Sequence, residues 1–71
     1  MNRDYIPKVG DLLSYGQDIY RVVKVLDDWR VDVNHEYRIV NKKPAKGSGN
    51  TFTNINAYLF ESLVKMSAKV V

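Results

Sequence analysis

The segment from residue 29 to residue 40 alternates between apolar and polar side chains at almost every position. Five of its six odd-numbered residues are apolar, and five of its six even-numbered residues are polar or charged. Because side chains on a β-strand point alternately to opposite faces, this period of two predicts a strand with one dry face and one wet face. A helix would distribute the same apolar residues around its circumference. The dry positions are Trp29, Val31, Val33, Tyr37 and Ile39, with His35 as the polar exception.

A hairpin is predicted ahead of this segment. Residues 9–15 and 18–26 have the composition of strands, and the Gly16-Gln17 pair between them has glycine first, as a type II′ turn requires. A two-residue turn pairs Tyr15 with Asp18 and brings the apolar residues of both strands to a common face. We expect the core to include Leu13, Tyr15, Tyr20 and Val22.

A second tight turn is predicted at Asp27-Asp28, because aspartate tolerates the left-handed conformation that such turns use. It places the dry face of residues 29–40 on the same side as the core face of the first hairpin. Two independently chosen turns thus agree on one core, to which Trp29 also belongs. The pairs that this turn predicts are Leu26–Trp29, Lys24–Val31 and Val22–Val33.

Two parts of the chain allow more than one interpretation. Residues 29–40 form either one long bent strand or a hairpin with a three-residue loop at 34–36, since both keep the same faces. Residues 54–66 form either an amphipathic helix or a 3-10 turn at 56–58 and a final strand, the second alternative being preceded by a short strand around Phe52. We favour the second, because a bent sheet of three strands needs a closing partner.

The chain has 71 residues and no cysteine, which predicts one domain over residues 1–71 with neither disulfides nor thiolate metal sites. Residues 1–8 are expected to be a partly frayed terminus. No stretch resembles a signal peptide or approaches the roughly 20 apolar residues of a membrane span. We therefore expect a cytoplasmic protein that does not contact a membrane.

The net charge of +3 is unevenly distributed. Residues 1–37 carry five Lys/Arg and seven Asp/Glu, giving −2, whereas residues 38–71 carry six Lys/Arg and one Glu, giving +5. Residues 41–50 contain three lysines, two glycines and one proline, which predicts a flexible basic loop. The candidate nucleic-acid contacts are Arg38, Lys42, Lys43, Lys46, Lys65 and Lys69.

The order of these pieces resembles a small SH3-like β-barrel of the KOW or Tudor type, as found in small prophage and bacterial proteins. The resemblance rests on Val9-Gly10-Asp11, the valine-rich segment at 20–25 and the strand that begins at Trp29. It implies a mainly β fold: a single strongly bent antiparallel sheet or barrel of about five strands, with a 3-10 turn or short helix near the C-terminus. The short Gly16-Gln17 connection departs from signalling SH3 domains, whose long loop at this place helps to bind polyproline.

The residue types favour binding over catalysis. His35 and Glu36 are neighbours on a predicted strand, so they point to opposite faces and cannot act as a base and its orienting partner. We expect no enzyme activity and no cofactor, and we expect a protein partner as the first hypothesis. Nucleic-acid binding through the basic loop is the alternative. The candidate partner-facing aromatic residues are Tyr5, Tyr37 and Tyr58, and barrels of the resembled type bind RNA, DNA, peptides or larger proteins.

Overall fold

The computed structural model of this protein describes residues 3–64. These residues form one antiparallel sheet with strand order β4-β3-β2-β1-β6, in which β5 pairs with β3. The prediction of a mainly β fold with a 3-10 turn is therefore confirmed, with six strands in place of about five. The strands are β1 (Leu12–Tyr15), β2 (Asp18–Val25), β3 (Arg30–Val40), β4 (Lys43–Lys46), β5 (Thr51–Asn56) and β6 (Ser62–Val64), and the 3-10 turn is Ala57–Leu59.

The first hairpin has the predicted register. Tyr15 lies opposite Asp18, and Leu13 lies opposite Tyr20. Gly16 has a φ angle of +59°, which glycine adopts without the steric penalty of other residues. Leu13 is fully buried, whereas Tyr15 is 57% exposed at the end of its strand. The assignment of Tyr15 to the core was wrong, because the chain turns away from the core immediately after it.

The pairing of β2 with β3 agrees with the prediction only in part. Val22 lies opposite Val33, as predicted, but Val31 faces Val25 and not Lys24. The register shifts between Val22 and Lys24, so β2 has one more residue than β3 over this stretch. Such a bulge reverses the face on which every following side chain lies.

The turn between β2 and β3 is wider than two residues. The Leu26 N–H donates to the carbonyl of Arg30 at 2.9 Å, which leaves three residues in the turn. The Asp27 carboxylate accepts hydrogen bonds from the backbone N–H groups of Trp29 and Arg30 at 3.1 and 3.0 Å. Trp29 therefore lies in the turn and is 46% exposed. The prediction that Trp29 belongs to the core was wrong, since the wider turn keeps it off the strand.

β3 is one continuous strand, and the alternative of a hairpin loop at 34–36 is wrong. Near its middle, His35 lies opposite Tyr20 while Tyr37 lies opposite Ile19. Glu36 is therefore an extra residue in β3. Because Ile19 and Tyr20 are successive residues with opposite orientations, His35 and Tyr37 also point to opposite faces.

The sheet consequently buries apolar residues on both faces, where the sequence predicted one dry face of β3. Adjacent residues of β1 show the division, since Leu13 belongs to one cluster and Leu12 to the other. The first cluster comprises Leu13, Val22, Val31, Val33, Ala57 and Phe60, with Tyr5, Tyr20, Val25 and Ile55 packed against it. The second comprises Leu12, Ile19 and Tyr37, with Ile39 and Val64 packed against it.

The segment predicted as a basic loop contains a strand. Asn41 and Lys42 have φ angles of +50° and +64° and form a tight turn, after which β4 pairs with the C-terminal part of β3. The chain then crosses to β5, which pairs with the N-terminal part of the same strand. At the crossing, a Cβ on Gly47 would lie 2.6 Å from the His35 carbonyl oxygen, so glycine is needed there for close approach.

The C-terminal part of the described chain follows the favoured alternative, with strand, 3-10 turn and strand in place of a helix. The Asn56 side chain begins the turn by accepting a hydrogen bond from the Tyr58 N–H at 2.9 Å. β6 then pairs with β1, which brings the last described strand beside the first. No helix within residues 3–64 is long and apolar enough to cross a membrane.

Candidate binding site

An open apolar groove lies where the end of the β1–β2 hairpin approaches β5 and the 3-10 turn. Its volume is about 220 Å³. The floor is made by residues of the first core cluster, and the rim is made by side chains that remain accessible to solvent. The lining residues are Tyr15, Tyr20, Val33, Phe52, Ile55, Leu59 and Phe60.

Tyr20 is the central side chain of this groove. Its ring centroid lies 5.9 Å from that of Phe52 in an edge-on arrangement and 5.5 Å from that of Phe60. On another side it lies 5.1 Å from the ring of His35. Burial, and to a smaller extent the negative charge of Asp18, raise the pKa of the Tyr20 hydroxyl. The hydroxyl therefore stays neutral near neutral pH.

The rim of the groove is formed by three large apolar side chains from separate elements. Tyr15 ends β1, Phe52 lies on the outer strand β5, and Leu59 ends the 3-10 turn. Leu59 is 64% exposed although it is a leucine. These residues lie next to the buried floor residues of the first cluster. An apolar side chain from another molecule, placed in the groove, would therefore extend the core. Burying one side chain of leucine size contributes about 1.5–3 kcal/mol.

The aromatic residues predicted to face a partner do not line this groove. Tyr37 is 2% exposed in the second cluster, so its assignment as partner-facing was wrong. Tyr5 is half-buried against the first cluster, and its hydroxyl donates a hydrogen bond to Asp11 at 2.6 Å. Burial first, and then the Asp11 carboxylate, raise the pKa of Tyr5 well above its ordinary value. Tyr5 therefore anchors the N-terminal segment, which the sequence predicted as partly frayed.

Tyr58 lies in a second, more polar depression of about 420 Å³, which Trp29, Arg3 and Asn56 also line. The Trp29 ring has the Arg30 guanidinium above it at 5.2 Å. Asp27 holds that guanidinium through two short hydrogen bonds of 2.8 and 2.6 Å. One face of the Trp29 ring is thus already stacked with a cation, which leaves the apolar groove as the stronger candidate.

A hydrogen-bonded chain of Asp18, His35 and Ser48 resembles the arrangement of a serine hydrolase. His35 Nε2 lies 2.9 Å from Asp18 Oδ1, and Nδ1 lies 2.9 Å from Ser48 Oγ. The backbone N–H of Ser48 also donates to Nδ1 at 3.0 Å, so Nδ1 carries the lone pair and Nε2 carries the proton. No local sequence pattern indicates this cluster, because His35 is 13 residues from Ser48 and 17 residues from Asp18 along the chain.

The surroundings of Ser48 do not suit nucleophilic catalysis. The N–H groups of Gly47 and Gly49 donate to the carbonyls of Glu36 and His35 at 3.1 and 3.2 Å, and the Asn50 N–H donates to Ser48 Oγ. No backbone donor of residues 47–50 remains to stabilise an oxyanion beside Ser48. We interpret the cluster as a lock that fastens the chain crossing to β3.

The basic residues predicted to contact nucleic acid are brought together in part. Arg38, Lys42, Lys43 and Lys46 all belong to the β3–β4 hairpin and are exposed. The Arg38 guanidinium lies 3.7 Å from the Asp18 carboxylate. Lys65 and Lys69 lie outside the described residues.

Sequence reasoning did not single out the rim of the groove. The sequence pattern placed Tyr15 in the core, and Phe52 and Leu59 lie in the C-terminal segment for which it allowed both a helix and strands. The one available signal was the position of Tyr15 directly before the Gly16 turn, where a strand leaves the sheet.

The chain was also compared with known proteins. No family model, no curated protein and no solved structure matches it.

Proposed function

We propose that this protein is a non-enzymatic binding module that holds an apolar side chain of a partner protein in the groove between Tyr15, Phe52 and Leu59. The observation that carries the proposal is the exposure of these three large side chains around one groove. Single exposed apolar residues are common on proteins, but a contiguous group beside a dry floor is typical of an interaction site.

The size of the groove favours a protein partner over a small molecule. Small-molecule sites usually measure about 300–1,000 Å³. The groove measures about 220 Å³ and is open, which suits one or two side chains of a peptide. Aromatic walls around a central pocket are also typical of the few residues that dominate protein–protein binding energies.

The topology supports the SH3-like barrel as the scaffold of this module. β6 pairs with β1 after the 3-10 turn, so the last described strand returns to the first, as a small barrel requires. The groove opens at the end of the β1–β2 hairpin. This hairpin is joined by two residues only, which removes the long loop through which signalling SH3 domains help to hold polyproline. The ligand that we propose is therefore a peptide with one apolar anchoring side chain, and not a polyproline helix.

The test is selection from a library of random peptides against the wild-type protein, followed by affinity measurement with labelled versions of the enriched peptides. We expect the enriched peptides to share one large apolar residue. Replacing Leu59 by serine should weaken their binding at least tenfold, because the rim loses its most exposed apolar side chain.

Ile6→Ser is the matched control. Ile6 is 66% exposed, so the two substitutions remove side chains of similar size and exposure. Peptide binding that survives in Ile6→Ser and is lost in Leu59→Ser supports the proposal. A library that yields no binding peptide, or peptides that bind both variants equally, contradicts it.

A further inference from the structure

The hairpin of residues 37–46 carries four basic side chains and no acidic one. We call it the basic ribbon. Arg38 shares the carboxylate of Asp18 with His35, at 3.7 Å and 2.9 Å respectively. The three lysines of the ribbon make no ion pair within residues 3–64, and so they present uncompensated positive charge.

The basic side chains lie on both faces of the ribbon and at its tip. Arg38 lies opposite Ala45, and Lys43, two residues before Ala45, shares its face. Lys46 lies opposite Tyr37 and therefore belongs to the other face. Lys42 lies at the tip, in the turn. Tyr37 and Ile39 pack into the second cluster, so only the tip of the ribbon, residues 40–43, extends beyond the sheet. A partner that receives this tip and contacts the basic residues on both faces must offer negative charge on two sides of it.

Lys42 occupies a backbone conformation that favours a different residue. It follows Asn41, and both residues have positive φ angles, as in a type I′ turn. Glycine is the preferred second residue of such a turn, because it has no Cβ to clash in the left-handed region. Lys42 instead places a charged side chain at the tip of the hairpin, at the cost of a strained backbone.

The groove of a nucleic-acid duplex offers phosphates on two sides. The major groove of B-form DNA is about 12 Å wide and admits a two-stranded β-ribbon. A-form RNA has a deep and narrow major groove that side chains cannot read. A flat anionic membrane would meet only one face of the ribbon. Lysines contact phosphates as point charges and carry little base specificity.

We propose that the tip of the basic ribbon enters the major groove of double-stranded DNA and that the four basic side chains bind the flanking phosphates without sequence preference. This surface is separate from the apolar groove, so the two proposals can fail independently. The assay is fluorescence anisotropy with a labelled DNA duplex, the corresponding single strand and a duplex RNA of the same length, at several salt concentrations. We expect the DNA duplex to bind best.

The salt dependence gives a quantitative expectation. Four phosphate contacts predict a slope of roughly −3 to −4 for the logarithm of the association constant against the logarithm of salt concentration. Lys42→Gln, Lys43→Gln and Lys46→Gln should each reduce the magnitude of the slope by about 1. Lys42→Gly should weaken binding as much as Lys42→Gln while raising the melting temperature, which separates loss of contact from loss of folding.

Lys24→Gln is the matched control, because Lys24 is an exposed lysine of β2 outside the ribbon. Its binding should equal that of the wild type. The proposal is overturned by any of three results: no binding of the DNA duplex at low salt, tighter binding of single-stranded DNA or duplex RNA, or an equal loss of affinity in Lys24→Gln and the ribbon variants.

Discussion

Val33 and Tyr37 lie four residues apart on β3, yet they are buried on opposite faces of the sheet. In a regular strand, residues separated by an even number of positions share a face. The extra residue Glu36 reverses this relation, because Tyr37 pairs with Ile19 whereas His35 pairs with Tyr20, the next residue of β2. One bulge therefore allows a single apolar alternation to supply two clusters.

The first prediction concerns Tyr37. Replacing it by alanine should lower the free energy of unfolding by about 3 kcal/mol or more, because it removes a buried aromatic ring from the second cluster. Val40→Ala, on the same strand, should change it by less than about 0.5 kcal/mol, since Val40 is 47% exposed. Urea unfolding followed by circular dichroism measures both. A near-neutral Tyr37→Ala would contradict the second cluster.

The second prediction concerns His35. His35→Ala should lower the free energy of unfolding by about 1–3 kcal/mol, because Asp18 loses its hydrogen bond with the imidazole and the Ser48 N–H loses its acceptor. Ser48→Ala should lower the free energy of unfolding by less, since the backbone N–H of residue 48 still donates to His35 Nδ1. Nitrogen NMR shifts of the imidazole should identify the tautomer with its proton on Nε2. A proton on Nδ1 in the neutral ring would contradict the hydrogen bond from the Ser48 N–H to Nδ1.

The third prediction concerns the tip of the basic ribbon. Lys42→Gly should raise the free energy of unfolding by about 1 kcal/mol, because a residue with a Cβ pays a steric cost of about 1–2 kcal/mol in the left-handed region. Lys43→Gly is the comparison. Lys43 begins β4 and has no positive φ angle, so glycine there should destabilise. Thermal melts of the two variants measure the difference. If Lys42→Gly and Lys43→Gly destabilise the protein equally, the backbone of Lys42 is not strained.

The fourth prediction concerns pH. Hydrogen bonds from the Arg30 side chain hold the pKa of Asp27 below its ordinary value. The folded state thus favours the ionised carboxylate. The resulting stabilisation is present above the pKa of the unfolded chain, about 3.9, and is lost as pH falls through the lower pKa of the folded protein.

Asp27→Asn tests this pH dependence. The difference in unfolding free energy between the wild type and Asp27→Asn should be present near neutral pH and shrink towards zero in strong acid. Asp28→Asn is the control, because it removes the same charge from the neighbouring residue. Within residues 3–64, Asp28 makes no hydrogen bond with Arg30. If the difference in unfolding free energy grows on acidification, the ionised Asp27 carboxylate does not stabilise the folded state.

Local patterns predicted the elements but not their exposure. The Gly16-Gln17 turn defined the first hairpin and its register, because both depend on residues adjacent in the chain. The same reasoning assigned Tyr15 and Trp29 to the core, and both are exposed. Whether an aromatic residue at a strand end is covered depends on which distant element packs over it, and the sequence carries no signal for that.

The candidate site was less predictable than the fold. The apolar groove joins side chains of β1, β5 and the 3-10 turn, which are far apart along the chain and are brought together by the pairing of β5 with β3 and of β6 with β1. The basic residues were identified from the sequence, but as a flexible loop and not as a ribbon. Asparagine suits the first position of a positive-φ turn, but glycine is expected at the second position, where Lys42 lies, so composition favoured the loop.

The sequence by itself determined that this protein is mainly β and that its first two strands form a tight hairpin. It predicted an amphipathic β segment at residues 29–40 but left open whether this segment is one strand or a hairpin with a loop at 34–36. These properties follow from the period of two and from turn chemistry, which act between neighbours. Only the tertiary structure decided the division of that strand between two clusters and the assembly of the groove. The division depends on the extra residue Glu36 in the pairing of β3 with β2, and the groove depends on the pairing of β5 with β3 and of β6 with β1. These contacts join residues that are distant along the chain, whereas sequence patterns act between neighbours.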